Sequence, residues 1–228
     1  MSDLTEKIKA FLTWYRDLYG DTAYVEQEAT PSSKAKQEAP MPSHHSPLLQ
    51  FYLEIKDCQK CALGKTRTNF VFGVGNEQAD VMFVGEAPGR DEDLKGEPFV
   101  GRAGQLLNKL LSHIHLKRSD VYIANILKCR PPNNRDPLPE EVVQCIPYLK
   151  TQIEMIQPKL LVALGRVAAQ NLLNTKMALG KMRERMWEYQ GIPLLVTYHP
   201  AAILRNNNLL TEALADFKKI KQWVEEHS

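Results

Sequence analysis

The chain has 228 residues, 43% hydrophobic and 25% charged, which is enough for a full core in one domain plus a tail. No window approaches the roughly 18 apolar residues of a membrane span, and the start lacks the basic and apolar stretches of a secretory leader, so a cytoplasmic protein is expected. A net charge of +2 and a pI near 8.3 permit a nucleic-acid partner without requiring one; residues 46–228 carry 24 Lys/Arg against 20 Asp/Glu, compatible with a polyanion substrate.

Along residues 4–19, Leu4, Ile8, Phe11, Leu12, Trp14, Tyr15 and Leu18 recur at helical spacing between charges, which predicts an amphipathic helix within residues 1–20. Residues 21–45 include "TPSSKAKQEAPMPSHH", rich in Pro, Ser, Ala and Lys and poor in large apolar side chains, as expected of a disordered linker. Ser46-Pro47 is an N-cap and first-turn signal, so the folded body is expected over 46–228, opening with a helix that leads to Cys58. Strands are then expected at 80–84, 121–126, 159–164 and 193–197, alternating with helices at about 102–114, 139–156, 166–174 and 208–225. That alternation calls for an α/β fold, a parallel sheet covered on both faces. Pro147 is expected to kink or split the helix that holds it.

Four cysteines punctuate this body: Cys58 and Cys61 in a Cys-x-x-Cys pair, then Cys129 after 67 intervening residues and Cys145 after 15 more. The pair puts two thiolates on one turn, and two more from distant segments complete a set suited to tetrahedral zinc or an iron–sulfur cluster, between which spacing does not choose. A redox pair beside two buried thiols, or four unrelated cysteines, are the plainer readings.

Four loops follow the expected strands: "GEAPGRDEDLKGEPFVGRAG" (85–104), "NILKCRPPNNRDP" (125–137), "GRVAAQ" (165–170) and "YHPAAILRN" (198–206). In a parallel sheet they share the carboxyl rim and can build one site. Alone, Phe99 reads as core, Asn125 as a turn former and His199 as a helix cap. Together they offer a stacking face, an amide able to make two hydrogen bonds and a cation-capable ring, a pocket for a flat heterocycle. Helix starts after 85–89, Gly165 and His199-Pro200 offer N–H groups to phosphates, and Lys128, Arg130, Arg135, Arg166, Lys181, Arg183, Arg185 and Arg205 supply charge. The kit fits a base extruded from a nucleic acid.

The ordered set "GEAPGRDED", "GEPFVGRAGQLL", "YIANILKCRPPNNRDP", "HPAAILRN" and the interleaved cysteines resembles the family 4 uracil-DNA glycosylases over about residues 46–225. The resemblance implies a three-layer α/β/α sandwich with a central four-stranded parallel sheet, a [4Fe-4S] cluster on Cys58, Cys61, Cys129 and Cys145, and hydrolysis of uracil from DNA; a nucleoid-associated monomer is expected, acting on single- or double-stranded DNA. It places the first motif on Gly85-Glu86-Ala87-Pro88-Gly89, the stacking aromatic on Phe99, the uracil-reading amide on Asn125 and the second motif on His199-Pro200-Ala201. Gly85 and Ala87 would approach the base, Glu86 or Glu92 would orient water or stabilise the sugar cation, and Gly89, Arg166, Arg183, Arg185 and Arg205 would face DNA. The Asp that activates water in the best-known uracil glycosylases has no equivalent in "GEAPG". A further branch that traps DNA covalently carries a basic, His-containing insertion absent between Asn125 and Cys145, so ordinary turnover is expected.

Two rival classes differ in their residues. A polymerase-associated DNA-binding module would keep a vestigial pocket and use the N-terminal helix to meet a repair or replication protein, but Phe99, Asn125 and His199 are all intact. A zinc nucleobase deaminase would need His-x-Glu with Pro-Cys-x-x-Cys, which the chain lacks.

Overall fold

The structure, a computed structural model, describes residues 46–227; the helix and linker expected over 1–45 lie outside the described residues. Ser46 caps α1 (Pro47–Ile55) as expected, its Oγ accepting from the Leu49 amide at 3.0 Å. After α2 (Leu63–Thr66) come β1 (Val74–Gly75), β2 (Val81–Gly85), α3 (Arg90–Lys95), α4 (Arg102–His113), β3 (Tyr122–Asn125), α5 (Pro139–Ile156) and β4 (Leu160–Leu164). The chain closes with α6 (Arg166–Leu173), α7 (Leu179–Arg183), β5 (Trp187–Tyr189), β6 (Ile192–Thr197), α8 (Pro200–Arg205) and α9 (Leu210–His227).

The four strands legible as apolar runs form a parallel core in the order β3-β2-β4-β6. The sheet has six strands rather than four, because β1 pairs antiparallel with β3 at one edge and β5 pairs antiparallel with β6 at the other. β5 and β6 are joined by a two-residue turn, Gln190-Gly191, with φ of 51° and 83°. Two consecutive positive φ values match the right-handed twist of a tight hairpin.

Alternation across the sheet builds two cores. Met82, Val84, Ala124, Leu161, Ala163, Leu194 and Val196 join one cluster with Leu48 of α1, Leu149 and Ile153 of α5, and Ala168 and Leu172 of α6. On the other face Phe83 stacks on Phe217 of α9 with ring centroids 6.0 Å apart. The result is the expected α/β/α sandwich.

The helix is not split at Pro147: α5 is one helix from Pro139 to Ile156. The missing Pro147 N–H would have bonded the Val143 carbonyl; both residues are exposed, so water can take that acceptor and the proline ring meets no core.

Candidate active site

β2 is joined outward to β3, and the chain then crosses back over β2 to β4, so the loops leaving β2 and β4 diverge at their carboxyl ends. A switch point of this kind opens a cleft. Here it is a cavity of about 490 Å³ whose lining includes Glu86, Phe99, Asn125, Asp136, Arg166 and His199. Hydrogen bonds from Ile126 N to Gly85 O (2.9 Å), from Leu127 N to Glu86 O (3.0 Å) and from Gly165 N to Thr197 O (2.8 Å) carry the strand pairing past the sheet and hold the loop starts together.

Asn125 ends β3 opposite Gly85 in register. Its side chain is almost wholly buried, and Oδ1 has no hydrogen-bond partner in the protein. A Cβ on Gly85 would lie 2.3 Å from that Oδ1 and 2.6 Å from the Phe99 ring, so only glycine leaves room for both. Phe99 is buried, and its ring lies 5.4 Å from the His199 ring at 32°.

His199 is the N-cap of α8, where its Nδ1 accepts from the Ala201 amide at 3.1 Å and Pro200 fills the first helical position, which has no amide to satisfy. Acceptance at Nδ1 leaves the proton on Nε2. Burial, with the nearby Arg205 charge, pulls the imidazole down to about 4, so at neutral pH the ring is an uncharged donor. Gly165 lies alongside at φ +91°, and a Cβ there would be 2.8 Å from the His199 Cβ.

The two candidate carboxylates differ. Glu86 is half-buried in the cavity, and burial, with the Asp136 charge, raises it to about 7 against the opposing pull of Arg166 and Arg205. Glu92, in the first turn of α3, accepts at Oε1 from two backbone amides, Val100 and Gly101, each at 2.9 Å. Both carboxylates line the cavity, and Glu92 also holds the loop that carries Phe99.

Arg166 and Arg205 are exposed and line the cavity, and Gly89 caps α3 on its rim. Arg166 also pairs with Asp136 at 2.9 Å.

The four cysteines come from the segment between α1 and α2 (Cys58, Cys61), the loop after β3 (Cys129) and α5 (Cys145), and all are free thiols. They are close enough to act on one another electrostatically. Burial pushes the Cys145 thiol up to about 12 against Lys128, with Cys129 and Cys61 adding to the rise. Donors converge on the sulfurs: Arg67 Nη1 on Cys129 at 3.2 Å, the Lys128 amide on Cys145 at 3.2 Å, and Tyr148 Oη on Cys58 at 3.2 Å. Donors on three of the four sulfurs suit an anionic thiolate-ligated centre.

The sequence matches the uracil DNA glycosylase superfamily over residues 72–225. A type-4 uracil-DNA glycosylase of Archaeoglobus fulgidus is 54% identical over 175 residues, covering 73% of this chain and 88% of that protein. Others from Saccharolobus solfataricus (48% over 178 residues; 74% and 82%) and Sulfurisphaera tokodaii (46% over 179 residues; 74% and 81%) align over a similar span. The chain belongs to the type-4 uracil-DNA glycosylases.

In this glycosylase the structure gathers Gly85, Glu86, Ala87, Phe99, Asn125 and His199 at one cavity, although they arise from three separate loops. It does not bring Arg183 or Arg185 there. Arg183 donates to Asp216 at 2.7 Å and to Glu212, and lies 4.0 Å from the Tyr198 ring, which ties α7 to α9; Arg185 lies over Trp187 at 3.9 Å. Lys128, expected among the phosphate-facing cations, is wholly buried and donates to Asn125 O at 3.0 Å and to Gln152 Oε1 at 2.5 Å. Sequence reasoning missed Asp136 beside Glu86 and Arg118 behind Phe99. Asp136 sits in a quoted loop and could have been weighed as a carboxylate, whereas Arg118 belongs to a polar turn without any motif.

Proposed function

We propose that this glycosylase hydrolyses the bond joining uracil N1 to deoxyribose C1′ in DNA, releasing free uracil and leaving an abasic site. One observation carries the reading most directly: a buried amide oxygen without a partner, Asn125 Oδ1, on a residue that lines one cavity with the aromatic ring of Phe99 and the neutral imidazole of His199. A buried acceptor left unpaired is costly, and a bound ligand's N–H would satisfy it. Uracil supplies that hydrogen at N3, and the amide nitrogen of Asn125 can donate to O4. Cytosine presents an acceptor at N3 and an amino donor at C4, so the same amide orientation opposes it.

In the reaction the base is extruded and stacked on Phe99, and His199 Nε2–H points at uracil O2. As the C1′–N1 bond breaks, its electron pair leaves with the base, and the neutral donor stabilises the charge growing on O2. The sugar becomes oxocarbenium-like. Water forms the new bond to C1′, and Glu86, whose carboxylate forms as pH rises through about 7, orients it, accepts its proton and faces the positive sugar. Glu92 acts through the Phe99 loop rather than on water. Arg166, Arg205 and the amides at Gly89 hold the flanking phosphates.

The four thiolates hold a [4Fe-4S] cluster in this reading. When bound, the cluster supplies a covalent staple among three chain segments. Residues 1–45 serve to meet a repair or replication protein, and the enzyme works as a monomer with cytoplasmic, nucleoid-associated DNA. Among the described residues no helix is long and apolar enough to cross a membrane.

The test is a gel assay for abasic sites in an oligonucleotide carrying one uracil, single- and double-stranded, beside the same oligonucleotide with cytosine. Strand scission after alkali only with uracil is the expected result. Equal scission of both, or of neither, removes the reading.

A further inference from the structure

Phe99 holds a left-handed backbone, φ 53°, in a stretch between α3 and α4 that has neither helix nor strand. That conformation is unfavourable for a residue with a Cβ, so surrounding contacts must impose it. Two charged side chains grip the backbone around it with opposite polarity. Arg118 Nη1 donates to Phe99 O at 3.2 Å and Nη2 donates to Pro98 O. On the following residues Glu92 Oε1 accepts from the Val100 and Gly101 amides. A third constraint is steric: a Cβ on Gly104, in the first turn of α4, would lie 1.8 Å from Phe99 O, so the carbonyl that Arg118 holds is pressed against the helix. Arg118 itself follows α4 and precedes β3, within a short 3-10 turn, Arg118–Asp120, and is only partly exposed.

We propose that Arg118 is a positioning residue for uracil capture: it touches neither base nor sugar, and by holding the Pro98 and Phe99 carbonyls it sets the Phe99 ring at the angle needed to stack an extruded base. This rests on the uracil-excision reading above. A planar guanidinium suits the task because its two terminal nitrogens reach two adjacent carbonyls at once, which a single ammonium does not. Stacking forms before the glycosidic bond breaks and is common to ground and transition states, so its loss belongs in KM rather than kcat.

The experiment is single-turnover excision of uracil over a range of enzyme concentrations, for wild type, Arg118→Ala, Arg118→Lys, Phe99→Ala and the Arg118→Ala/Phe99→Ala double variant, with melting followed in parallel. Arg118→Ala should raise the half-saturating concentration about tenfold and leave the limiting rate within about threefold. Arg118→Lys, with one donor centre, should fall between Arg118→Ala and wild type. The double variant should be no worse than Phe99→Ala, because Arg118 acts only through that ring. Independent, multiplying losses in the double variant overturn the proposal, as does wild-type half-saturation in Arg118→Ala. If Arg118→Ala does not fold, Arg118→Lys decides: wild-type half-saturation in a folded protein sinks the idea and a raised value supports it. An inactive wild type would instead sink the uracil reading, so the two failures are distinguishable.

Discussion

At the residue scale, His199 and Glu86 divide the chemistry by protonation state. A histidine held near 4 stays neutral across the physiological range, so its Nε2–H donates to a developing anion without a competing proton equilibrium. His199→Ala should lower single-turnover excision by about 100-fold or more with little change in DNA binding, the usual loss when one preorganised donor is removed. Wild-type excision by His199→Ala would remove α8 from the active site. Glu86 behaves oppositely. Its folded value near 7 lies above the ordinary 4.5, so the folded protein binds more protons than the unfolded chain between those two pH values, and the contribution of Glu86 to stability declines as pH rises through that window. Excision should rise through pH 7 as the carboxylate forms. Glu86→Gln should abolish that inflection and slow the reaction, yet raise the melting temperature at pH 8 with a gain that fades toward pH 4.5. A pH profile that keeps its inflection near 7 in Glu86→Gln assigns the ionisation elsewhere. These side chains were legible in the sequence because each stands at a strand end or helix start inside a loop rich in Gly and Pro. Arg118 was not, because a cation that holds backbone carbonyls needs no particular neighbours in sequence.

Among the elements, legibility followed burial. β2, β3 and β4 are buried at every position and read as unbroken apolar runs. β1 has two residues and β5 three, only the last of them buried, too few for any period, so neither stood out. Arg183 was misread for a related reason: a basic run looks alike whether its partners are phosphates or the carboxylates of a distant helix, here Glu212 and Asp216 of α9. Two glycines with positive φ separate local strain from damage to the site. Gly191, φ +83°, has open space where a Cβ would go, and Gly191→Ala should cost about 1–2 kcal/mol of stability with excision unchanged. Gly165, at φ 91° and ψ 176°, a region open to almost nothing but glycine, has the His199 Cβ 2.8 Å from that point, so Gly165→Ala should carry its own backbone strain and also displace the imidazole. A shift of about 1 Å in a reacting group can cost 100-fold, so excision should fall at least about tenfold. Melting curves beside single-turnover rates check both, and equal rates in the two variants would show that α8 tolerates movement.

For the whole molecule, the question is what the three cysteine-bearing segments do for the fold and what residues 1–45 do for catalysis. Among the described residues the cavity is lined from Glu86 onward, and every motif of the site lies beyond position 84, so deletion of residues 1–45 should leave single-turnover excision within about tenfold, or 1.4 kcal/mol of barrier. A larger loss would mean that this segment helps to hold DNA. The cysteines bear on stability first. Cys58 and Cys61 follow α1, Cys129 follows the strand that ends in Asn125, and Cys145 lies within α5, so one centre joins segments far apart in the chain, and the loop between Cys129 and Cys145 contributes Asn134, Arg135 and Asp136 to the cavity wall. Anaerobically purified protein should be brown and carry about four irons per chain. Cys145→Ala removes one ligand from a buried site and leaves the other sulfurs among donors meant for an anionic centre. Losing a metal staple belongs with the losses above about 4 kcal/mol, which for a domain of this size corresponds to about 8–16 °C in melting temperature. The variant should therefore lose iron and melt at least about 8 °C lower, while whatever fraction keeps its cluster excises uracil at the wild-type rate, because no ligand touches the base. Colourless protein with one zinc would refute the cluster. A Cys145→Ala protein that keeps both iron and melting temperature would show that the fold does not depend on the fourth thiolate.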